Sequence, residues 1–217
     1  MHRVRRWWWA LAVGIALGAG SLPAMASVEP AVAVYRWGWV TVRNTAVGMV
    51  TPSASDRGNS AGQRNTVRHY GNGKYLVMMR GIGSPAGNGS GGVPLVSAIG
   101  GTKLCSIDTW YGDGTNERIQ LSCYTRAGVP AASKFSLSFV ATDGGGTAKL
   151  GYVDVDGGSA NTNYSYNAGG GSITVVHSGT GSYHVAFGGL NASSGNVQVS
   201  SAVGITFSPA GIPQNPN

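Results

Sequence analysis

The sequence predicts an all-β protein, antiparallel and sandwich-like, built from one complete repeat and one partial repeat. Three observations carry that expectation. Gly is the commonest residue, 36 of 217, and Gly in a helix interior costs about 1 kcal/mol relative to Ala. Charged residues are few, at 11%, while apolar residues reach 42% and alternate with polar ones over short runs. Turn-forming Gly, Asn and Asp punctuate those runs, as they do between many short strands.

The amino terminus precedes the β region. Arg3, Arg5 and Arg6 form a positive segment, Trp7 to Leu22 is apolar, and Ala24-Met25-Ala26 offers small residues at a peptidase site. Residues 1–26 therefore read as a signal peptide cleaved after Ala26. An anchor helix fits less well, because a span needs about 20 apolar residues and Pro23 breaks this run early. Arg5-Arg6 matches twin-arginine export poorly, and no Cys near the cleavage site offers a lipid attachment point. No later stretch is apolar enough to span a membrane as a helix. The expected location is secreted or extracellular, or periplasmic where the organism has an outer membrane. Cleavage leaves 191 residues and lowers the formal net charge from +7 to +4, with 12 basic against 8 acidic residues. Most of the basic residues lie before Asp143, but they are scattered, as on an ordinary solvated surface.

Strand candidates follow in order. Ala33 to Arg43 is rich in β-formers, and Thr51 to Arg64 is a polar loop holding Pro52. Thr66 to Tyr70 and Lys74 to Met79 flank Gly71-Asn72-Gly73, a hairpin signal. Gly81 to Gly92 is a loop. Val93 to Ile99, Lys103 to Tyr111, Glu117 to Thr125 and Ser133 to Val140 are further strands, and Thr142 to Thr147 a linker.

A second section resembles the first. Thr66 to Val77 aligns with Thr174 to Val185, identical at seven of twelve positions. Trp39 to Val42 corresponds to Tyr152 to Val155, and Ser97 to Gly100 to Ser201 to Gly204. The organisation expected is a sandwich-like repeat over 33–142, a partial repeat over 147–207 without the Cys-bearing hairpin, and a flexible tail over 208–217. Two copies are too few for a long solenoid.

Cys105 and Cys123 are the only cysteines, and in an exported protein an even count reads as a disulfide. Their midpoint is Gly114, within the turn signal Tyr111-Gly112-Asp113-Gly114-Thr115. A hairpin centred there opposes Cys105 to Cys123, Ile107 to Leu121 and Thr109 to Ile119 on one face. The other face then opposes Asp108 to Gln120 and Trp110 to Arg118. Closing a loop of this size adds about 3 kcal/mol by the chain-entropy model.

The run V-x-x-x-G-x-G-x-Y-x-V at Val67 to Val77, the pair Cys105 and Cys123, and Phe135-Ser136-Leu137-Ser138-Phe139 together resemble a repeat of secreted bacterial proteins. That repeat is about a hundred residues long. In it a hairpin is followed by a Cys-containing pair and a closing F-x-L-x-F strand. The resemblance covers Trp39 to Phe139 fully and Tyr152 to Gly204 in part. It implies a secreted β module and brings no activity and no catalytic residues with it.

No catalytic constellation is legible. The one G-x-S-x-G run, Gly58-Asn59-Ser60-Ala61-Gly62, falls in a polar loop and not at the strand-to-helix turn a nucleophile needs, and Glu29 and Glu117 are the only glutamates for paired-carboxylate chemistry. Asp154-Val155-Asp156-Gly157 lacks the third ligand and closing Glu of a calcium loop, so a polar strand end describes it better. His69 and His177 are repeat-equivalent and read as one structural slot used twice. His177 and His184 would meet across a hairpin, but no nearby Cys or carboxylate completes a metal site. No phosphate-binding Gly loop occurs. No cofactor and no metal are expected.

The aromatics are more informative. Trp110, Tyr111 and Trp37 are the candidate ligand-binding residues, expected exposed together as rings against which sugars stack. Trp39 is expected in the core, because its counterpart Tyr152 is also aromatic. Interleaved Arg36, Arg43 and Arg118 offer a nucleic-acid reading, which the scattered charge disfavours. The leading expectation is a non-catalytic binding or surface module for an extracellular polysaccharide or cell-surface component. A small secreted hydrolase and a purely structural envelope or matrix component stay open as alternatives. The exported protein is expected to begin at Ser27; N-terminal sequencing that still reads Met1 in exported material would overturn the signal-peptide assignment.

Overall fold

Strands with one apolar face are stable only when two such faces pack together, and the inner residues of this chain supply both layers. The computed structural model describes residues 35–83, 92–142, 149–191 and 195–202. The proposed signal peptide, the 208–217 tail and the linker beyond Thr142 lie outside the described residues.

The described residues form β1 (Tyr35–Val42), β2 (Gly48–Val50), β3 (Arg57–Asn59), β4 (Thr66–Gly71), β5 (Lys74–Met79), β6 (Val93–Ile99) and β7 (Lys103–Gly112). They continue with β8 (Glu117–Thr125), β9 (Lys134–Thr142), β10 (Gly151–Asp156), β11 (Ser159–Asn167), β12 (Ile173–Gly179) and β13 (Ser182–Phe187). A four-stranded sheet runs β3-β1-β9-β6 and a five-stranded sheet β2-β4-β5-β8-β7, with every pairing antiparallel. The fold is all-β and sandwich-like. The segment expected as a loop, Thr51 to Arg64, also holds β3 and a short 3₁₀ turn at Ala54–Asp56. No alternation marks β3; side chains described below tie it to β1.

Phe135, Leu137, Phe139 and Ala141 of β9 and Val40 and Val42 of β1 form one inner face. Val67, Tyr75, Val77, Met79, Ile107, Ile119 and Leu121 form the other. Each fully buried side chain of this size contributes about 1.5–3 kcal/mol. Tyr75 is completely buried and ties the layers together. Its phenol donates to Ser133 O at 3.1 Å and accepts from the Ser133 N–H at 3.0 Å. Ser133 ends the crossover that carries the chain from β8 in one sheet to β9 in the other. The ring stacks on His69 across the hairpin at 4.2 Å and meets the edge of Phe135 at 4.9 Å.

β7 and β8 form the disulfide hairpin. Cys105 opposes Cys123 and the bond is made, with Cα atoms 4.0 Å apart. That separation is below the usual 4.4–6.8 Å. Gly114 turns with φ at 84°, a conformation side chains resist. Asp113 Oδ1 accepts from the backbone N–H of Thr115 and Asn116, and its Oδ2 from Arg118 Nε at 2.8 Å. Burial pushes the Asp113 carboxyl up, but these donors outweigh it and hold it at about 2.

The register expected from the turn holds only from Lys103 to Ile107. A β-bulge between Ile107 and Thr109 adds a residue, so Thr109 opposes Gln120, Trp110 opposes Ile119 and Tyr111 opposes Arg118. Every side chain beyond the bulge changes face.

β10–β11 and β12–β13 are separate two-stranded sheets. Tyr152 of β10 is buried, and Tyr164 of β11 packs on the sandwich core. Burial, then the neighbouring Tyr166, push the Tyr152 phenol up to about 12. Ser201 and Ala202 do not reproduce the strand pairing of Ser97 and Ala98. They lie beside β7, with a parallel bridge from Ala202 to Ile107.

Tyr75→Phe removes both bonds to Ser133 and leaves a buried N–H and carbonyl unsatisfied. It is expected to lower stability by about 1–3 kcal/mol with an unchanged denaturant slope, as measured by urea unfolding.

Candidate ligand-binding face

The three aromatics expected on one surface occupy three different places. Trp110 is only 8% exposed, because the bulge turns it to the inner face opposite Ile119. Its indole N–H donates to Gly92 O at 3.0 Å, and its ring meets the edge of Tyr164 at 4.8 Å. Tyr111 lies half-buried on the outer face of the five-stranded sheet, opposite Arg118. Burial raises its phenol pKa, partly offset by Arg118. Trp37 is 44% exposed on the outer face of the four-stranded sheet.

Trp39, expected in the core, stands beside Trp37 instead. β1 buries Gly38, Val40 and Val42, so the intervening Trp37, Trp39 and Thr41 face outward. The two indoles sit two residues apart on one strand face, roughly 7 Å along it. Trp39 opposes Ser138 on β9, which opposes Leu95 on β6; the next row is Thr41, Ser136 and Ser97. Beside this strip is a recess of about 390 Å³ lined by Leu95, Ser97, Ser136 and Ser138, with Gln198 and Val199 as its wall. Sequence reasoning missed Trp39, the serines and Gln198. The alternation of Phe135, Leu137 and Phe139 placed Ser136 and Ser138 on the opposite face, and that was their only signal.

Side chains from the 57–65 segment hold this face in place. Trp37 N–H donates to Ser60 Oγ at 3.0 Å, and Ser60 N–H donates to Trp37 O at 2.9 Å. Asn65 is fully buried; its amide donates to Trp39 O and Gly58 O, and its Oδ1 accepts from Asn59. These bonds join β3 to β1 beneath the indoles. The Nε1 side of the Trp39 indole packs against Gly58, where a Cβ would fall 2.1 Å from Nε1. The wall is anchored too: Ser200 Oγ bonds both Val96 N–H and Val96 O, and Ile107 N–H donates to Ser201 O at 3.2 Å. Two aromatic plates on a rigid strand, next to hydroxyls and an amide, can stack a ring and hydrogen-bond its substituents.

A second polar cluster lies on the outer face of the five-stranded sheet. Asp108 in the bulge accepts from Ser122 Oγ at 2.6 Å, and burial raises its pKa against the pull of Ser122 and Lys74. Asp108 Oδ1 and buried Gln120 Oε1 have no hydrogen-bond partner among the described residues. No histidine shares that face: His69 points inward onto Tyr75. His177 and His184 do not meet, because they fall on opposite faces of the β12–β13 hairpin. Among the described residues no group of three metal-ligating side chains occurs. No known family, curated protein or solved structure matches this chain.

Gly58 has no left-handed backbone requirement, so Gly58→Ala is expected to leave the fold intact and displace the Trp39 ring. The Trp39 indole resonance in a ¹H–¹⁵N spectrum should move while that of Trp110 stays; an unmoved Trp39 signal would refute the close packing.

Proposed function

We propose that this protein is an exported, non-catalytic β-sandwich module that binds an extracellular polysaccharide on the outer face of its four-stranded sheet. The observation that carries the reading is the pair of outward indoles, Trp37 and Trp39, beside a recess floored by hydroxyls. Aromatic faces offer apolar area at low entropy cost, and the Ser97, Ser136, Ser138 and Gln198 side chains supply donors and acceptors for sugar hydroxyls. Among the described residues no charged side chain lines the recess, which favours a neutral glycan over an acidic polymer. Export is supported by the leader-like residues 1–26 and by the Cys105–Cys123 disulfide, a bond that persists in oxidising compartments. No helix among the described residues is long and apolar enough to cross a membrane.

The β4–β5 and β12–β13 hairpins have the same register. Val67 opposes Val77 as Val175 opposes Val185, His69 opposes Tyr75 as His177 opposes Tyr183, and a bulge follows each His. This match, with the seven shared residues, supports reading the two as copies of one repeat.

A glycan-array screen followed by calorimetry tests the binding. Trp37→Ala and Trp39→Ala should each weaken binding of a neutral polysaccharide by about tenfold or more, each tenfold being about 1.4 kcal/mol. Affinity should change little in high salt, because no ion pair is broken. Undiminished binding in the double variant would reject this face as the site.

A further inference from the structure

The two matching hairpins meet opposite fates. His69 stacks on Tyr75 at 4.2 Å and 12°, and His177 stacks on Tyr183 at 4.6 Å and 15°. The first pair is buried, with Tyr75 at 0% exposure; Tyr183 is 51% exposed and His177 is exposed as well. In the first hairpin, the edge of the Tyr-bearing strand β5 is paired along its length by β8. In the second, β12 and β13 pair only with each other among the described residues, and none of these pairs with the corresponding edge of β13. β10–β11 covers part of the same face: the Phe187 ring lies against Gly151, and Gly158 approaches His177. The Tyr183 end is left uncovered.

We propose that a second copy of this chain covers that edge, with β13 pairing antiparallel to its own copy around a two-fold axis at Val185. In the first hairpin an antiparallel strand, β8, satisfies the tyrosine-bearing edge, while Phe135 and Ser133 of the facing layer cover the ring. Three further observations select the copy. Ile173 to Phe187 contains no Asp, Glu, Lys or Arg, so the edge has none of the charges that usually block strand addition, and it offers nothing to a charged partner. Centring on Val185 opposes Tyr183 to Phe187 of the copy and Val185 to Val185 of the copy, so apolar side chains line up beside one another on one face of the joined sheet. The other edges among the described residues suit the role less. β2 and β3 have three residues each, β7 is bridged by Ala202, Ser200 bonds β6 at Val96, β10 bears Asp154 and Asp156, and β11 and β12 lie against each other. The product is a continuous four-stranded sheet, β12-β13-β13-β12, across the two-fold.

Sedimentation velocity of the purified protein across a wide concentration range tests this, with near-UV circular dichroism as the folding control. The wild type is expected to dimerise reversibly. Val185→Lys sets like charges opposite each other at the axis and should weaken the dimer by about a hundredfold or more. Val176→Lys, on the other strand and the other face, should leave it. Val185→Cys should form an interchain disulfide on mild oxidation, which reports the register even if the lysine variant folds poorly. A wild type that stays monomeric, a dimer that survives Val185→Lys, or a hairpin that takes a glycan while the protein remains monomeric would each overturn the proposal.

Discussion

Tyr75 sits where the two sheets exchange the chain, and its phenol closes both backbone groups of Ser133 at that crossover. A crossover between layers carries peptide groups through the apolar interior, where unpaired polar groups are costly. The sandwich needs a side chain that is apolar along its body and polar at its tip, and tyrosine is one. His69 on one flank and Phe135 on the other fix the ring. The core of β9 can then pack against β5 and β8 without a buried polar gap. Tyr183 has the same stacked histidine but no crossover to clasp, and it stands at the surface. One local motif therefore gives two outcomes, decided by whether β7, β8 and β9 are present around it.

The bulge at Asp108 decides which aromatics stay at the surface. It admits a polar residue, hydrogen-bonded to Ser122, into a strand that otherwise keeps strict alternation. The resulting change of face takes Trp110 out of solvent and into contact with Tyr164, so the tryptophan becomes the seam between the sandwich and β11. Exposed aromatic area is exchanged for packing area. The outward indoles of β1 are what remain, together with Tyr111 on the far sheet.

Much of the fold was readable from alternation and turn chemistry. The hairpin bounds, the four strands from Val93 to Val140 and the disulfide partners all follow from local rules that tertiary context does not override. Trp39 was misplaced because Tyr35 to Val42 is apolar in both phases: Trp37 and Trp39 on one, Val40 and Val42 on the other. The phase is set by the partner strand. Phe135, Leu137 and Phe139 fill the interior layer, leaving room opposite them only for Gly38, Val40 and Val42. Comparison with Tyr152 misled for a related reason, since β10 packs against a different neighbour and buries its aromatic. β3 was not legible because Asn65 and Ser60 side chains create its place, and such bonds leave no periodic trace. The bulge left a single trace, an Asp among apolar neighbours, which alone does not distinguish a bulge from a solvent-facing position.

The location of the candidate site follows from these same constraints. Inner faces are filled by side chains that have no alternative, so any surplus large apolar residue must face outward. β1 has that surplus, and its outward rings are held by support beneath them: Gly58 leaves room for the Trp39 indole, Asn65 and Ser60 pin the backbone, and Ser136 and Ser138 line the adjacent floor. An indole left outward without such support would fold onto the nearest apolar surface and present no plane. A fully buried asparagine and a close-packed glycine hold two partly exposed tryptophans in fixed positions on this face, and that preorganisation is the physical content of the proposed carbohydrate reading.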